Sequence, residues 1–285
     1  MTIAVTFLPR TAPGPLPPIA FIGGGNMASA IIGGLIQQGV AADNFEVVEP
    51  FEEARTRLAQ SYGIVARAEA SEALARCAVV VWAVKPQTFA DAARPVRAFA
   101  ADALHLSVAA GIPSDSIARW LGTERVVRAM PNTPALVGKG MTGLFARAGV
   151  ESADRARVGQ LLAPTGELIW VDAEPALDAV TAMSGSGPAY VFYFIEAMTE
   201  AGVEMGLTPD QAQRLAIGTF TGASALAHSA TEPPSVLRER VTSKGGTTYA
   251  ALSALEASDV KGQFKTAIRA AQKRAAELGE EFGRG

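Results

Sequence analysis

Two short stretches carry the residues best suited to chemistry. One is Ser243-Lys244-Gly245-Gly246-Thr247-Thr248, which stands before a helix-like run. Gly245 and Gly246 expose backbone N–H groups, and a helix N-terminus adds partial positive charge. Ser243, Thr247 and Thr248 add hydroxyls. Such a cluster suits a small carboxylate, with a hydroxyl left for a neighbouring polar atom. Lys244 either adds charge for an anion or is simply solvated. The same residues also make an ordinary capped helix start. The other stretch is GGGNMA, Gly23 to Ala28. It fits G-x-G-x-x-A, with Gly23 for a tight turn, Gly25 for close backbone approach and Ala28 for close helix–strand packing. A helix opening there points free N–H groups at a pyrophosphate. Glycines before a helix are often only a turn. The apolar run Ile19–Ile22 before them and the amphipathic run after them favour the dinucleotide reading.

Further candidates follow other strand-like runs. Glu49 lies 24 residues past Gly25. An acid at that place accepts both ribose hydroxyls of an adenosine half and repels a 2′-phosphate, which favours NADH over NADPH. Arg55 and Arg57 lie close enough in sequence to offset that, and the acid also suits the N-terminus of the next helix. The run VVVWA, ending in Ala83, leads into Val84-Lys85-Pro86-Gln87. LHLSV leads into Ala109-Ala110-Gly111, and RVVRA into Met130-Pro131-Asn132-Thr133-Pro134. Small residues, prolines and a few donors make a narrow, rigid shelf for a flat ring. Lysines are mostly solvated; the position of Lys85 between a buried strand and a proline favours the cleft.

The elements that must position these residues alternate in the first half. Strands are expected at Ile19–Ile22, Phe45–Val48, Val79–Ala83, Leu104–Val108, Arg125–Ala129, Met141–Phe145 and Glu167–Val171. Helices are expected over Asn26–Gln38, from Glu52 to Gln60, and from Pro113-Ser114 onward. This alternation implies a parallel sheet covered on both faces, with ligands beyond the carboxyl ends of its strands. From about Asp172 the pattern is helical. Glu174–Met183 reads as helix, Pro188 opens a long apolar one, Thr208-Pro209 opens another, and two more start near Thr247 and Val260. The helix after Pro188 is apolar on most faces, which implies a second subunit packed against it. The expected organisation is a flexible leader over residues 1–18, a dinucleotide-binding domain over 19–172 and an all-α domain over 173–285.

Composition narrows the function classes. Of the 285 residues, 49% are hydrophobic and 19% charged, enough for a sizeable core. A net charge of -3 gives no reason to expect nucleic acid. The single cysteine, Cys77, forms no intrachain disulfide and fits a reducing compartment, here the cytoplasm. Neither His105 nor His228 has a neighbour at metal-ligand spacing, so no metal is expected. Glu196 and Glu200 argue against a membrane span in the most apolar stretch.

Six motifs taken together, IAFIGGGNMASAIIGGL, WAVKPQ, SVAAGI, RAMPNTPALVGKGMTGL, DAVTAMSGSGPAYVFYFIEAM and VTSKGGTTYAALSALE, make the chain from Ile19 to Gly285 resemble the Δ1-pyrroline-5-carboxylate reductases. The resemblance implies a Rossmann-type N-terminal domain and a helical domain that interlocks two subunits, with a decameric ring of dimers in some members. It implies NADPH or NADH along Gly23, Gly25, Asn26, Met27 and Ala28, and its nicotinamide half near Ala83, Val84, Lys85, Pro86, Ala110 and Asn132. It implies that Ser243, Gly245, Gly246, Thr247 and Thr248 hold the substrate carboxylate and ring nitrogen, with Glu174 on the substrate side. Three departures stand out. Lys244 replaces a proline usual in the family. Ala68-Glu69-Ala70-Ser71 lacks a common asparagine. Glu49 replaces a small polar residue. An imine nitrogen enters protonated, so no strong side-chain acid is required, and Thr248 is the expected catalytic contact. A β-hydroxyacid dehydrogenase would want a lysine on the helix after Pro188, which has none. An imine reductase of broader scope and a non-enzymatic dinucleotide sensor are the other readings.

Overall fold

A computed structural model of the chain describes residues 16–283. Two compact units are present. In the described residues, the first comprises 16–185 with 271–283, and the second comprises 186–270.

The first unit alternates strand and helix. Its elements begin with β1 (Ile19–Ile22), α1 (Asn26–Gln37), β2 (Phe45–Val48), α2 (Glu52–Tyr62), β3 (Val79–Trp82), α3 (Phe89–Ala100) and β4 (Leu104–Ser107). They continue with α4 (Ser114–Leu121), β5 (Val126–Met130), β6 (Gly140–Ala146), α5 (Ser152–Leu162), β7 (Gly166–Trp170) and α6 (Ala176–Val180). The strands form one sheet in the order β2-β1-β3-β4-β5-β6-β7. Alternate residues of β1 serve opposite faces: Ile19 and Phe21 join one core cluster with Ile31, Leu35 and Leu58. Ala20 and Ile22 join the other with Trp82, Phe89 and Val96. Helices therefore cover both faces, as the apolar strands require.

The sheet is mostly, not wholly, parallel. β6 runs antiparallel to β5, and β7 is parallel to β6. Residues 131–139 join β5 to β6 without a crossover helix, and a parallel return needs about a dozen residues or more. Two further differences concern boundaries. Residues 1–15 of the expected leader lie outside the described residues. Leu16–Pro18 are held down: Asn44 Nδ2 donates to the carbonyls of Leu16 and Pro17, and Ala78 N to that of Pro18. The first unit also runs past residue 172. The expected helix from Glu174 is α6 followed by a wider π-type turn, Thr181–Gly185, and the unit ends there.

The second unit contains α7 (Gly187–Glu204), α8 (Pro209–Ser229), α9 (Pro234–Arg240), α10 (Thr247–Ala257) and the first part of α11 (Val260–Gly283). Pro234 opens α9 after Pro233, and a proline in the first turn costs no hydrogen bond. Thr208 and Gln211 make a capping box at the start of α8. The α7–α8 contact is close because Gly202 lacks a side chain: a Cβ there would lie 2.8 Å from Ala212 Cβ.

Candidate active site

The strand tips of the first unit lie side by side. Register pairs Ile22 with both Val48 and Trp82, Trp82 with Ser107, and Ser107 with Arg128. The residues that follow therefore share one edge: Gly23, Glu49, Ala83–Pro86 and Ala109–Gly111. Gly23 has φ +96°, and a Cβ on it would lie 2.5 Å from Ala83 O, so only glycine fits between the tips of β1 and β3. Gly25 differs. It has no heavy atom within 4 Å of a Cβ position, which leaves its backbone open to a ligand. No side chain caps α1, whose N-cap is Gly25. Asn26 is exposed, Met27 half-buried and Ala28 buried, so the turn places a glycine and an amide outward and packs Ala28 inward.

Glu49 closes one side of this turn. It is only 6% exposed. Its Oε2 accepts from Gly24 N at 2.7 Å, and its Oε1 accepts from Phe51 N at 2.9 Å. The carboxylate thus braces the glycine turn. Arg55 turns away from it, donating from Nη1 to the carbonyls of Glu49 and Pro50. On the other side Ala83 and Val84 are half-buried and Ala110 is exposed. Lys85 is exposed, with its carbonyl accepting from Thr88 Oγ1, and Pro86 starts a short 3-10 turn. Asn132 is engaged by the protein itself: Nδ2 donates to Ser184 O at 3.1 Å, and Oδ1 accepts from Met141 N at 2.9 Å. It pins the β5–β6 connection to the π-type turn.

Glu174 is occupied in the same way. Its carboxylate accepts from Ser114 N, Ser114 Oγ and Arg128 Nη1, each at 2.6 Å. It is a brace inside the first unit, with no oxygen left without a donor. Nearby Asp178 has its pKa raised by burial, with Glu174 adding to the rise and Arg128 opposing it. The brace involves Arg128 and Ser114; the sequence marked Ser114 only as a helix start and did not mark Arg128. A charge in the apolar run VVRAM was the available signal.

Two of the buried titratable groups, His105 and Cys77, are inert. His105 Nδ1 accepts from Trp82 Nε1 and its Nε2 donates to Ala100 O, both at 3.1 Å. Burial lowers its pKa to about 4. Burial pushes the Cys77 thiol up to about 11, far from the range of a reactive thiolate. Among the described residues no group of three His, Cys, Asp or Glu is placed to hold a metal ion, and no helix is long and apolar enough to cross a membrane.

In the second unit, Ser243–Thr248 form the turn into α10. Gly245 has φ +75°, and Gly246 N donates to Ser243 O at 3.0 Å. A Cβ on Gly246 would lie 2.6 Å from Ser243 Oγ, which would have to turn aside to admit one. No side chain caps α10, and its first turn carries Thr247 exposed and Thr248 half-buried. Lys244 is exposed.

Comparison with known proteins matches two stretches of the chain to different family models. Residues 18–111 match the family model for NADP oxidoreductase, coenzyme F420-dependent. Residues 174–278 match the model for pyrroline-5-carboxylate reductase dimerisation. A pyrroline-5-carboxylate reductase of Pseudomonas aeruginosa is 45% identical over 269 residues, covering 94% of this chain and 98% of its own. The chain belongs to the pyrroline-5-carboxylate reductase family. Solved structures of the family superpose along nearly the whole chain. The reductase of Coxiella burnetii matches with a TM-score of 0.87 at 35% identity, covering 93% of this chain and 99% of its own. That of Plasmodium falciparum, with NADP bound, matches with 0.82 at 27%, covering 92% and 98%. Family membership makes the helical region from Glu174 a self-association segment.

Proposed function

We propose that the chain reduces the C=N bond of 1-pyrroline-5-carboxylate to L-proline, the closing step of proline biosynthesis. A nicotinamide dinucleotide supplies the hydride to the imine carbon; the ring nitrogen enters protonated and leaves as the secondary amine. One observation carries the reading. Both chemistry-bearing loops open helices with no side-chain cap, one inside the oxidoreductase match and one inside the reductase dimerisation match. A glycine-led, uncapped helix start suits an anion. The turn Gly23–Ala28 takes the pyrophosphate, with Ala83–Pro86 and Ala110 along the nicotinamide half. Gly245, Gly246 and Ser243 hold the substrate carboxylate, Thr247 supports them, and the Thr248 hydroxyl positions the ring nitrogen. With no buried acid needed, the chief contribution of these residues is orientation at hydride-transfer distance. Asn132 and Glu174 act behind this surface, through the contacts already described.

Glu49 sets the cofactor choice. A 2′-phosphate would meet a buried carboxylate already fixed by two amides, and like charges brought together cost several kcal/mol. NADH is therefore accepted, and NADPH is used less well. The working assembly is a dimer or a decameric ring of dimers, acting on a small molecule in the cytoplasm, without nucleic-acid or membrane partners. The test is oxidation of NADH and NADPH in parallel with pyrroline-5-carboxylate. Wild type should turn over NADH, and Thr248→Ala should lose turnover while keeping dinucleotide affinity. Glu49→Ser should raise the NADPH-to-NADH ratio of kcat/KM by about tenfold or more. No reduction of pyrroline-5-carboxylate with either cofactor refutes the activity, and an unmoved ratio refutes the role of Glu49.

A further inference from the structure

Two parts of the first unit that are distant in sequence, Glu174 and the end of α11, meet at one loop. That loop, residues 108–113, joins β4 to α4 and contains Ala110. One contact is made by Glu174, the first residue of the dimerisation match and still part of the first unit. Its carboxylate takes both the amide and the hydroxyl of Ser114, and Arg128 on β5 anchors it from behind. Ser114 is buried, and Arg147 Nη1 donates to its Oγ at 3.1 Å. The first residue of α4 is thus fixed where the loop ends.

The other contact is made by the last turns of α11, which belong to the first unit. Gly111 has φ +76°, and a Cβ on it would lie 3.2 Å from Phe282 Cδ2 and 3.4 Å from Leu278 Cβ. The Phe282 ring therefore lies against bare backbone at the middle of the loop, and it also packs on the core cluster of that sheet face. One residue on, Gly283 O accepts from Ser116 Oγ at 2.9 Å and from Arg119 Nη2 at 3.3 Å. Both grips come from segments far away in sequence. A glycine at positive φ gives the loop freedom that these grips remove.

We propose that Glu174 and Phe282 are positioning residues for the reduction: they clamp the 108–113 loop from two sides so that Ala110 presents a preformed shelf to the nicotinamide half. This rests on the reading that Ala110 lines that subsite. A released loop populates the competent shape only part of the time, and apparent affinity falls by that fraction. Once the dinucleotide is bound the loop is ordered again, so turnover is spared.

The test uses the full chain, with NADH titrated directly by fluorescence and steady-state kinetics in parallel. Phe282→Ala should weaken NADH binding about tenfold, and Phe282→Leu and Glu174→Gln about threefold each. The KM for pyrroline-5-carboxylate and kcat should stay within about twofold of wild type. Ala110→Leu serves as the reference, since it blocks the shelf directly. If Ala110→Leu leaves NADH binding unchanged, the placement of the loop at the cofactor is wrong. If Ala110→Leu weakens binding while the Phe282 and Glu174 variants do not, the clamp is wrong. A loss shared equally by NADH and substrate also overturns it. Should Phe282→Ala fail to fold, the two milder variants decide by the same criteria.

Discussion

The two units bury their side chains in opposite ways. In the first, Phe21, Ile31, Trp82, Phe89 and Leu104 are fully enclosed between helices and sheet. In residues 186–270 the buried residues are Gly202, Ala212 and Ala216, all small. The second unit carries large apolar side chains as well, but they face outward. Phe192 is 64% exposed and Tyr193 68%, with Met198, Val203, Leu215 and Leu255 in the same condition. Ordering a residue costs roughly 1–2 kcal/mol of backbone entropy, and burial of large apolar groups is the main term that offsets it. The first unit carries that term within its own sequence. The second does not, and its match to a dimerisation family supplies the reason: its core is completed by another copy of the chain.

The comparison breaks most sharply at Phe192. A charge placed there should split the dimer. Removing an aromatic anchor costs about 2–4 kcal/mol of association, and a symmetric interface suffers the change twice. Phe192→Asp should elute as monomer, lose helical circular dichroism and have little activity. Ile31→Ala should instead destabilise by about 2–5 kcal/mol, the cost of a core cavity, with no dependence on protein concentration. Light scattering and melts over a hundredfold dilution series check both. A dimeric, active Phe192→Asp would mean that this face of α7 does not meet the partner.

A smaller effect sharpens the picture of the self-sufficient unit. His105 is neutral when folded, because Trp82 donates to its Nδ1 and burial lowers its pKa to about 4. In the unfolded chain it titrates near 6.5. Between those values the unfolded state binds the extra proton, so stability falls as pH drops from about 6.5 to about 4 and is not recovered below it. The limit of the effect is about 3 kcal/mol. Urea melts at pH 7 and 4.5 should show a steeper loss for wild type than for His105→Phe. Equal slopes would remove His105 as the source.

The legibility of the sequence follows the same division. Each of the seven strands was readable as an apolar run closed by turn residues, and β1 and β2 have the expected ends. The glycine turn was readable because its steric demand is local: Gly23 faces Ala83 O whatever lies further off. Helix α3 was hidden. Its buried set Phe89, Ala93, Val96 and Ala100 has helical spacing, but alanines and an internal Pro95 dilute the contrast. The reversal of β6 was not written in any strand; it follows from the short connection 131–139. Glu174 was visible as a charged residue near the site, but its partners lie 46 and 60 residues away in sequence, and no spacing rule reaches that far. The opening loop Ser243–Thr248 was read from residue types alone, and α10 begins at the expected Thr247.

The smallest expected effect lies in the best-packed region. Thr142 on β6 is buried, and its Oγ1 is the buried side-chain polar atom without a hydrogen-bond partner among the described residues. A hydroxyl enclosed in this way costs about 1–3 kcal/mol relative to one that is bonded. Valine has nearly the same shape and the same preference for a strand, so Thr142→Val removes the cost without opening a cavity. Thermal unfolding should rise by about 2–4 °C, the size expected for about 1 kcal/mol in a unit of this length. The change should be independent of concentration, since the residue belongs to the unit that completes its own core. A fall in melting temperature would mean that the hydroxyl has a partner in solution, and a concentration-dependent rise would place β6 under the influence of the dimer.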